Sequence, residues 1–93
     1  MTPEQQEQLE NEKVRGTTAL HSYEAYIKNF CDSKRETLFM AFSELPLSAE
    51  RELMEVKRML FAIDTLEAEI LSEIKTGELA AISLNAQEGH EVH

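Results

Sequence analysis

The sequence is poor in the residues on which most catalytic and metal sites depend. Its 93 residues include one cysteine, three histidines and no tryptophan. A lone cysteine can form neither an intramolecular disulfide nor a thiolate metal cluster, so we expect a reducing environment. The sequence has no Ser, His and Asp arrangement, no phosphate-binding loop and no paired-cysteine motif. We therefore expect no enzymatic activity, no cofactor and no bound metal.

Positive charge is also scarce, with nine Lys and Arg against eighteen Asp and Glu and a net charge of −9. Binding to nucleic-acid phosphates or to an anionic membrane requires a positive surface, so we expect neither of these partners. No apolar run approaches the length needed to cross a bilayer, and the first residues are polar and acidic. We therefore expect neither a membrane-spanning helix nor a signal peptide.

What the sequence does contain is helical periodicity, most clearly from Ser48 to Gly77. Ser48 is a suitable N-cap, three glutamates follow it in the first turns, and Gly77 suits the left-handed position that ends many helices. Apolar residues recur between them at steps of three and four, which is typical of one face of an α-helix. The pattern predicts a long helix over residues 49–76.

A second long helix is predicted over residues 19–45. Leu20, Tyr23, Ile27 and Phe30 begin a similar stripe, which continues through Phe42 to Leu45. It should end at Leu45, because a proline disfavours the helical conformation in the residue before it. The short connection makes the two helices antiparallel neighbours, so the predicted fold is all-α, with a helical hairpin domain over residues 19–84.

The two ends of the chain are predicted to contribute less to the fold. Residues 1–18 form a polar N-terminal arm or a helix extension, which opens with Thr2 as an N-cap and Pro3 at the first helical position. Gly16 and the two threonines after it either break this helix or lie within it. A short C-terminal segment follows Gly77 and could fold back on the hairpin. Residues 85–93 carry too little apolar surface to order themselves, so we expect a disordered tail.

The second helix carries more apolar surface than one partner helix can cover. We therefore expect self-association into a helical bundle, since each large side chain left in water forfeits about 1.5 to 3 kcal/mol. The predicted interaction surface consists of Met54, Met59, Leu60, Phe61, Ile63, Leu66, Ile70, Leu71 and Ile74.

Two single residues lie on the apolar stripes. Glu67 occupies the register between Leu60 and Ile74, where it could fix the register of the helices, reach out to solvent or bind a cation. Cys31 follows Phe30 at the edge of the first helix, and it is interpreted as a small buried hydrophobic residue.

Four stretches carry a resemblance to a known group of proteins. They are Lys34-Arg-Glu-Thr-Leu-Phe-Met-Ala-Phe, then Leu-Pro-Leu-Ser-Ala-Glu, then Leu-Met-Glu-Val-Lys-Arg-Met-Leu-Phe-Ala-Ile-Asp-Thr-Leu-Glu-Ala-Glu-Ile, and finally Ile-Lys-Thr-Gly-Glu-Leu-Ala. Over residues 28–80 the chain resembles a group of small, all-helical proteins encoded by tailed bacteriophages and prophages. It departs from the group at Glu78, where a lysine is frequent, and at Phe42, where a tryptophan is common. Members are mostly of unknown function and are often encoded in virion or head-assembly neighbourhoods. The resemblance implies a phage origin and leaves the activity open.

The predicted function is that of a noncatalytic phage protein, associated with assembly or with the virion, that acts as a helical oligomer and binds another phage or host protein. Its expected location is the cytoplasm of the bacterial host or the virion. The alternative is an inhibitor of host machinery or host defence. Such an inhibitor could be an acidic mimic of nucleic acid, or an oligomer that sequesters cyclic nucleotides through Tyr23, Tyr26, Lys28 and Arg35.

Overall fold

The computed structural model describes the backbone of residues 1–91 and the side chains of residues 1–87. It contains α1 (Pro3–Ser22), a five-residue π-helical turn (Tyr23–Ile27), α2 (Lys28–Glu44) and α3 (Glu50–Glu91). No β-strand occurs within residues 1–91. The prediction of an all-α protein is therefore confirmed.

The first helix begins with a reciprocal cap. The Gln5 backbone N–H donates to Thr2 Oγ1 over 3.1 Å, and the Thr2 N–H donates to Gln5 Oε1 over 2.9 Å. Pro3 follows at the first helical position, where its missing N–H removes no helical hydrogen bond. The helix then passes through Gly16 without a break, so residues 3–18 extend the first helix.

The π-helical turn between α1 and α2 contains one residue more than a regular line of contacts between two helices requires. Before the turn, the positions covered by α3 advance in steps of three and four residues and reach Ala19 and Tyr23. The next covered positions, Ile27 and Cys31, follow at two successive steps of four. The contact positions between two packed helices repeat every seven residues, and these two steps span eight. The wider π turn absorbs the extra residue and keeps both halves of the long helix in contact with α3.

α3 begins at Glu50, one residue later than predicted, after a short connection that follows α2. Leu45 is extended, as its position before Pro46 requires, and the Ala49 N–H donates to the Pro46 carbonyl over 2.9 Å. This hydrogen bond closes a turn that contains Ser48. The helix begins at Glu50, and the Leu53 N–H donates to the Ala49 carbonyl. The prediction of Ser48 as the N-cap is therefore wrong, because Ala49 is the residue before the first turn.

The predicted end of this helix at Gly77 is also wrong. The helix continues to Glu91, and no glycine in the described part of the chain has a positive φ. Gly77 is buried against α1, and Ala80, one turn further on, is also buried. The expected fold-back segment after Gly77 and residues 85–91 of the expected tail are thus helical. Residues 92 and 93 of the tail lie outside the described part.

The two long helices lie side by side and run in opposite directions, in a body of 69 × 22 × 15 Å. Gly16 lies against Gly77 near one end, and Arg35 lies against Asp64 nearer the connection. α1 packs closely on α3, whereas α2 contacts α3 less extensively. The buried hydrophobic residues of the described part are Cys31, Val56, Ile74 and Ala80. A single pair of helices therefore encloses very little core.

Candidate functional site

The side of α3 that faces α1 and α2, here called the seam, repeats at steps of three and four residues. Its members are Leu53, Val56, Leu60, Ile63, Glu67, Ile70, Ile74 and Gly77. Four residues of the predicted interaction surface, Leu60, Ile63, Ile70 and Ile74, thus lie between the helices. Ile74 is 7% exposed, and the other three are partly exposed.

The other five residues of that surface are exposed, but the structure does not bring them together on one face. Met54 and Phe61 are seven residues apart and share one side of α3, and Met59 and Leu66 share another. Met59 lies five positions after Met54, and a step of five residues turns the helix by about 140°. Leu71 lies nearer the side of Phe61 and is 43% exposed.

The ion pair between Arg35 and Asp64 shows which side of α2 adjoins the side of α3 that carries Phe61. Phe39 and Phe42 follow Arg35 by four and seven residues, so they lie on the flank that carries Arg35. Phe61 precedes Asp64 by three residues and lies on the same flank of α3. Phe39, Phe42, Met54 and Phe61 thus form one exposed surface, here called the phenylalanine face.

Sequence periodicity alone missed the phenylalanine face. Phe39 was not assigned to any surface, and Phe42 was expected in the stripe that faces the other helix. Both are exposed, and so is Phe30, whereas Cys31 is 1% exposed. The π-helical turn shifts the inward-facing position from Phe30 to Cys31. Two successive steps of four residues, from Tyr23 to Cys31, were the sequence signal for this shift.

A polar cluster occupies the seam at Glu67, whose side chain is 16% exposed. Arg35 Nη2 donates to Glu67 Oε1 over 2.7 Å, and the Tyr23 hydroxyl donates to Glu67 Oε2 over 3.2 Å. Arg35 also pairs with Asp64 through Nε at 2.8 Å and with Asp32 through Nη1 at 3.2 Å. Glu67 therefore has a partner on each oxygen, which fits a residue that fixes the register of the helices.

The electrostatics of the cluster follow from these contacts. Hydrogen bonds to Glu67 and then Asp64 raise the pKa of Arg35 above its ordinary value. Burial, followed by the charge of Glu67, raises the pKa of Tyr23. Burial, and secondarily Glu67, also raises the pKa of the Cys31 thiol. The interpretation of Cys31 as a small buried residue is confirmed, and its environment favours the unreactive thiol over the thiolate.

The structure does not bring the four residues named for cyclic-nucleotide binding together at one site. Tyr23 and Arg35 meet at Glu67, whereas Tyr26 and Lys28 are exposed to solvent. The guanidinium of Arg35 is already paired with three carboxylates. A phosphate at Arg35 would lie beside those carboxylates and be repelled by them.

Other classes of site are not seen in the described residues. Among residues 1–87, whose side chains the structure describes, there is no group of three or more His, Cys, Asp or Glu placed to bind a metal ion. Within the same part of the chain, no helix combines the length and the apolar character that crossing a bilayer requires.

Comparison of the chain with protein-family models, with curated proteins and with solved structures finds no match. The exposed apolar residues on the two sides of the helix pair are the candidate interaction surface that the described side chains offer.

Proposed function

We propose that this chain is a noncatalytic protein that self-associates as a helical hairpin and acts through protein–protein contacts. The observation that carries the proposal is its accessible surface of 7320 Å². A compact monomer of 10.6 kDa exposes about 5,500 Å². The surplus, which is the difference between these two areas, is larger than the roughly 800 Å² that each partner buries in a typical specific interface.

The distribution of burial supports the same proposal. Large seam residues such as Leu53, Leu60 and Ile63 are only partly covered by the facing helix. Phe39 and Phe61 are 65% and 73% exposed. A single helix pair with so little core is marginal, whereas a bundle of several chains would cover both the seam and the aromatic residues.

The biological setting that we propose is phage assembly or the virion, in the cytoplasm of a bacterial host. Support comes from the resemblance over residues 28–80 to small helical proteins of tailed phages. A 69 Å body with apolar side chains on both sides suits a protein that bridges other subunits.

Self-association is tested by sedimentation equilibrium of the full chain at micromolar concentration. A mass of two or more chains supports the proposal, and a monomer mass would overturn it. The assembly role is tested by mass spectrometry of purified phage particles and of assembly intermediates. Absence of the chain from both would contradict that role and leave self-association standing.

A second candidate, an acidic inhibitor that mimics nucleic acid, is favoured by the distribution of charge. Residues 28–66 carry six Lys and Arg against seven Asp and Glu, whereas the rest of the chain carries three against eleven. The net charge of −9 is therefore concentrated in the half that holds both termini. Inhibition of one purified host nucleic-acid enzyme, relieved by added salt and by duplex DNA, would support this candidate.

A further inference from the structure

The phenylalanine face brings three exposed phenylalanines together on one side of the half that contains the connection. Phe39, Phe42 and Phe61 are three of the four phenylalanines, and Met54 extends the face toward the connection. All four side chains are between 44% and 73% exposed. Aromatic residues and methionine are enriched at the cores of protein interfaces. The aromatic side chains bury a large area there with few rotatable bonds.

The two helices leave this half of the molecule incompletely covered. Their backbones approach closely at Gly16 and Gly77, in the half that holds the termini. In the connected half, Leu38, Leu53 and Leu60 face the other helix and yet remain partly exposed. A further layer of helices on this half would cover the seam and the phenylalanine face together.

Charge restricts how a second copy can be placed. Residues 28–66 have a net charge of −1, and the remainder of the chain has a net charge of −8. Two copies lying in parallel would place both acidic halves within a few ångströms of each other, inside the Debye length of about 8 Å at physiological salt. Two copies overlapping through their connected halves, with the acidic halves pointing apart, avoid that repulsion.

We propose that a second copy of this chain docks on the phenylalanine face, across a two-fold axis that passes close to Phe61 and leaves the acidic ends projecting in opposite directions. This proposal rests on the proposed self-association and specifies its geometry. A two-fold interface uses the same patch on both copies, so the face packs on itself and the overlapping halves form a four-helix bundle. The surplus surface of each chain is sufficient for such an interface.

The first test introduces one negative charge at a time, on one side of the helix pair or on the other. Phe61→Glu and Phe39→Glu are compared with Leu66→Glu, which lies on the other side of α3 and is 50% exposed. All three positions are exposed in the single chain, and circular dichroism checks that each variant remains helical. Sedimentation should show the dissociation constant of the dimer raised about 100-fold or more by Phe61→Glu, because a two-fold interface contains the substitution twice. Leu66→Glu should change it little.

The second test is cross-linking, which distinguishes the two arrangements of the dimer. Ile82 is exposed and lies three heptads after Phe61, on the same side of α3 but in the acidic half. Under mild oxidation, Phe61→Cys should form an intermolecular disulfide and Ile82→Cys should not, because only residues near the axis come within bonding distance. Native Cys31 is buried and serves as the internal control in both variants.

The possible outcomes separate this proposal from the one on which it depends. An oligomer that is dissociated by Leu66→Glu but not by Phe61→Glu would overturn the docking face and leave self-association intact. Disulfide formation by Ile82→Cys as readily as by Phe61→Cys would overturn the opposed arrangement. A wild-type chain that sediments as a monomer would overturn self-association itself.

Discussion

Gly16 and Gly77 pack backbone against backbone where α1 crosses α3. A Cβ atom added to Gly16 would lie 2.6 Å from Gly77 Cα, and one added to Gly77 would lie 2.7 Å from Gly16 Cα. Both distances are shorter than any ordinary carbon–carbon contact. The obstructing atoms belong to helix backbones, which cannot turn aside as a flexible side chain can. These two glycines therefore set the separation of the helices in this half of the molecule.

Gly16→Ala or Gly77→Ala should destabilise the protein even though alanine is the better helix former. The gain in helix propensity is about 1 kcal/mol, whereas forcing the helices apart costs about 1 to 3 kcal/mol. The net effect is therefore a loss of stability of up to about 2 kcal/mol. Urea unfolding at a fixed protein concentration measures the difference. Thr17→Ala, at an exposed position next to Gly16, is the matched control and should be neutral or stabilising. A Gly16→Ala variant more stable than wild type would contradict the close crossing.

Loss of the Arg35 side chain should reduce stability more than loss of an exposed cation elsewhere. Arg35→Ala leaves Glu67 in the seam with only Tyr23 as its partner. Lys75→Ala is the control, because Lys75 pairs with Glu78 at 3.9 Å on the surface, and such pairs contribute about 0 to 1 kcal/mol. Thermal unfolding at low and high salt should show a larger and less salt-dependent effect for Arg35→Ala. Equal effects of the two substitutions would mean that the cluster contributes no more than a surface pair.

The pKa of Tyr23, measured by titration, should report its contact with Glu67 in the polar cluster directly. Burial and the charge of Glu67 raise the pKa of Tyr23 above its ordinary value of 10.0, so the folded state holds the hydroxyl proton more tightly than the unfolded state. The contribution to stability is complete below pH 10 and is lost as the pH rises through the folded-state pKa. In a Tyr26→Phe background, tyrosinate absorbance follows Tyr23 alone. Glu67→Gln should lower that pKa only part of the way, because burial is the larger cause. An unchanged titration curve would show that Glu67 does not act on Tyr23.

The helical content of the protein was predictable because it depends on local signals. Thr2 with Pro3 marked the first helix start, and Pro46 marked the end of the first long helix. Both act within a few residues through backbone hydrogen bonds and allowed dihedral angles. The all-α class followed from the apolar spacing between these markers.

The structural role of Gly77 was not predictable from local signals of this kind. Gly77, with Lys75 before it, is typical of a helix C-terminus, and yet it lies inside α3. Its function depends on Gly16, which is 61 positions away in the sequence and touches it only in the folded chain. A local pattern cannot distinguish a glycine that ends a helix from one that admits a neighbouring helix.

The site was predictable only in part for a related reason. The surplus of apolar residues on α3 was evident, but its division between the seam and two outer sides depends on the register against α1 and α2. That register is set by the π-helical turn and by the contacts of Arg35 with Asp64 and Glu67. The phenylalanine face could be assigned only after these contacts were known.

Deletion of Ala25 should be tolerated and should stabilise the protein. Ala25 is exposed and lies within the π-helical turn. Its removal restores regular three- and four-residue steps on both sides of Tyr23, so the turn can become ordinary α-helix while Gly16 and Cys31 keep their places against α3. Deletion of Glu36, which is exposed in the regular part of α2, is the control. It rotates everything beyond it by about 100°, moves Leu38 and Ala41 off the seam and should destabilise the protein strongly. Urea unfolding and the amide hydrogen exchange of residues 19–31 measure both effects. If deletion of Ala25 is as damaging as deletion of Glu36, the π turn does more than absorb one extra residue, and its five residues would be the next place to look for a functional contact.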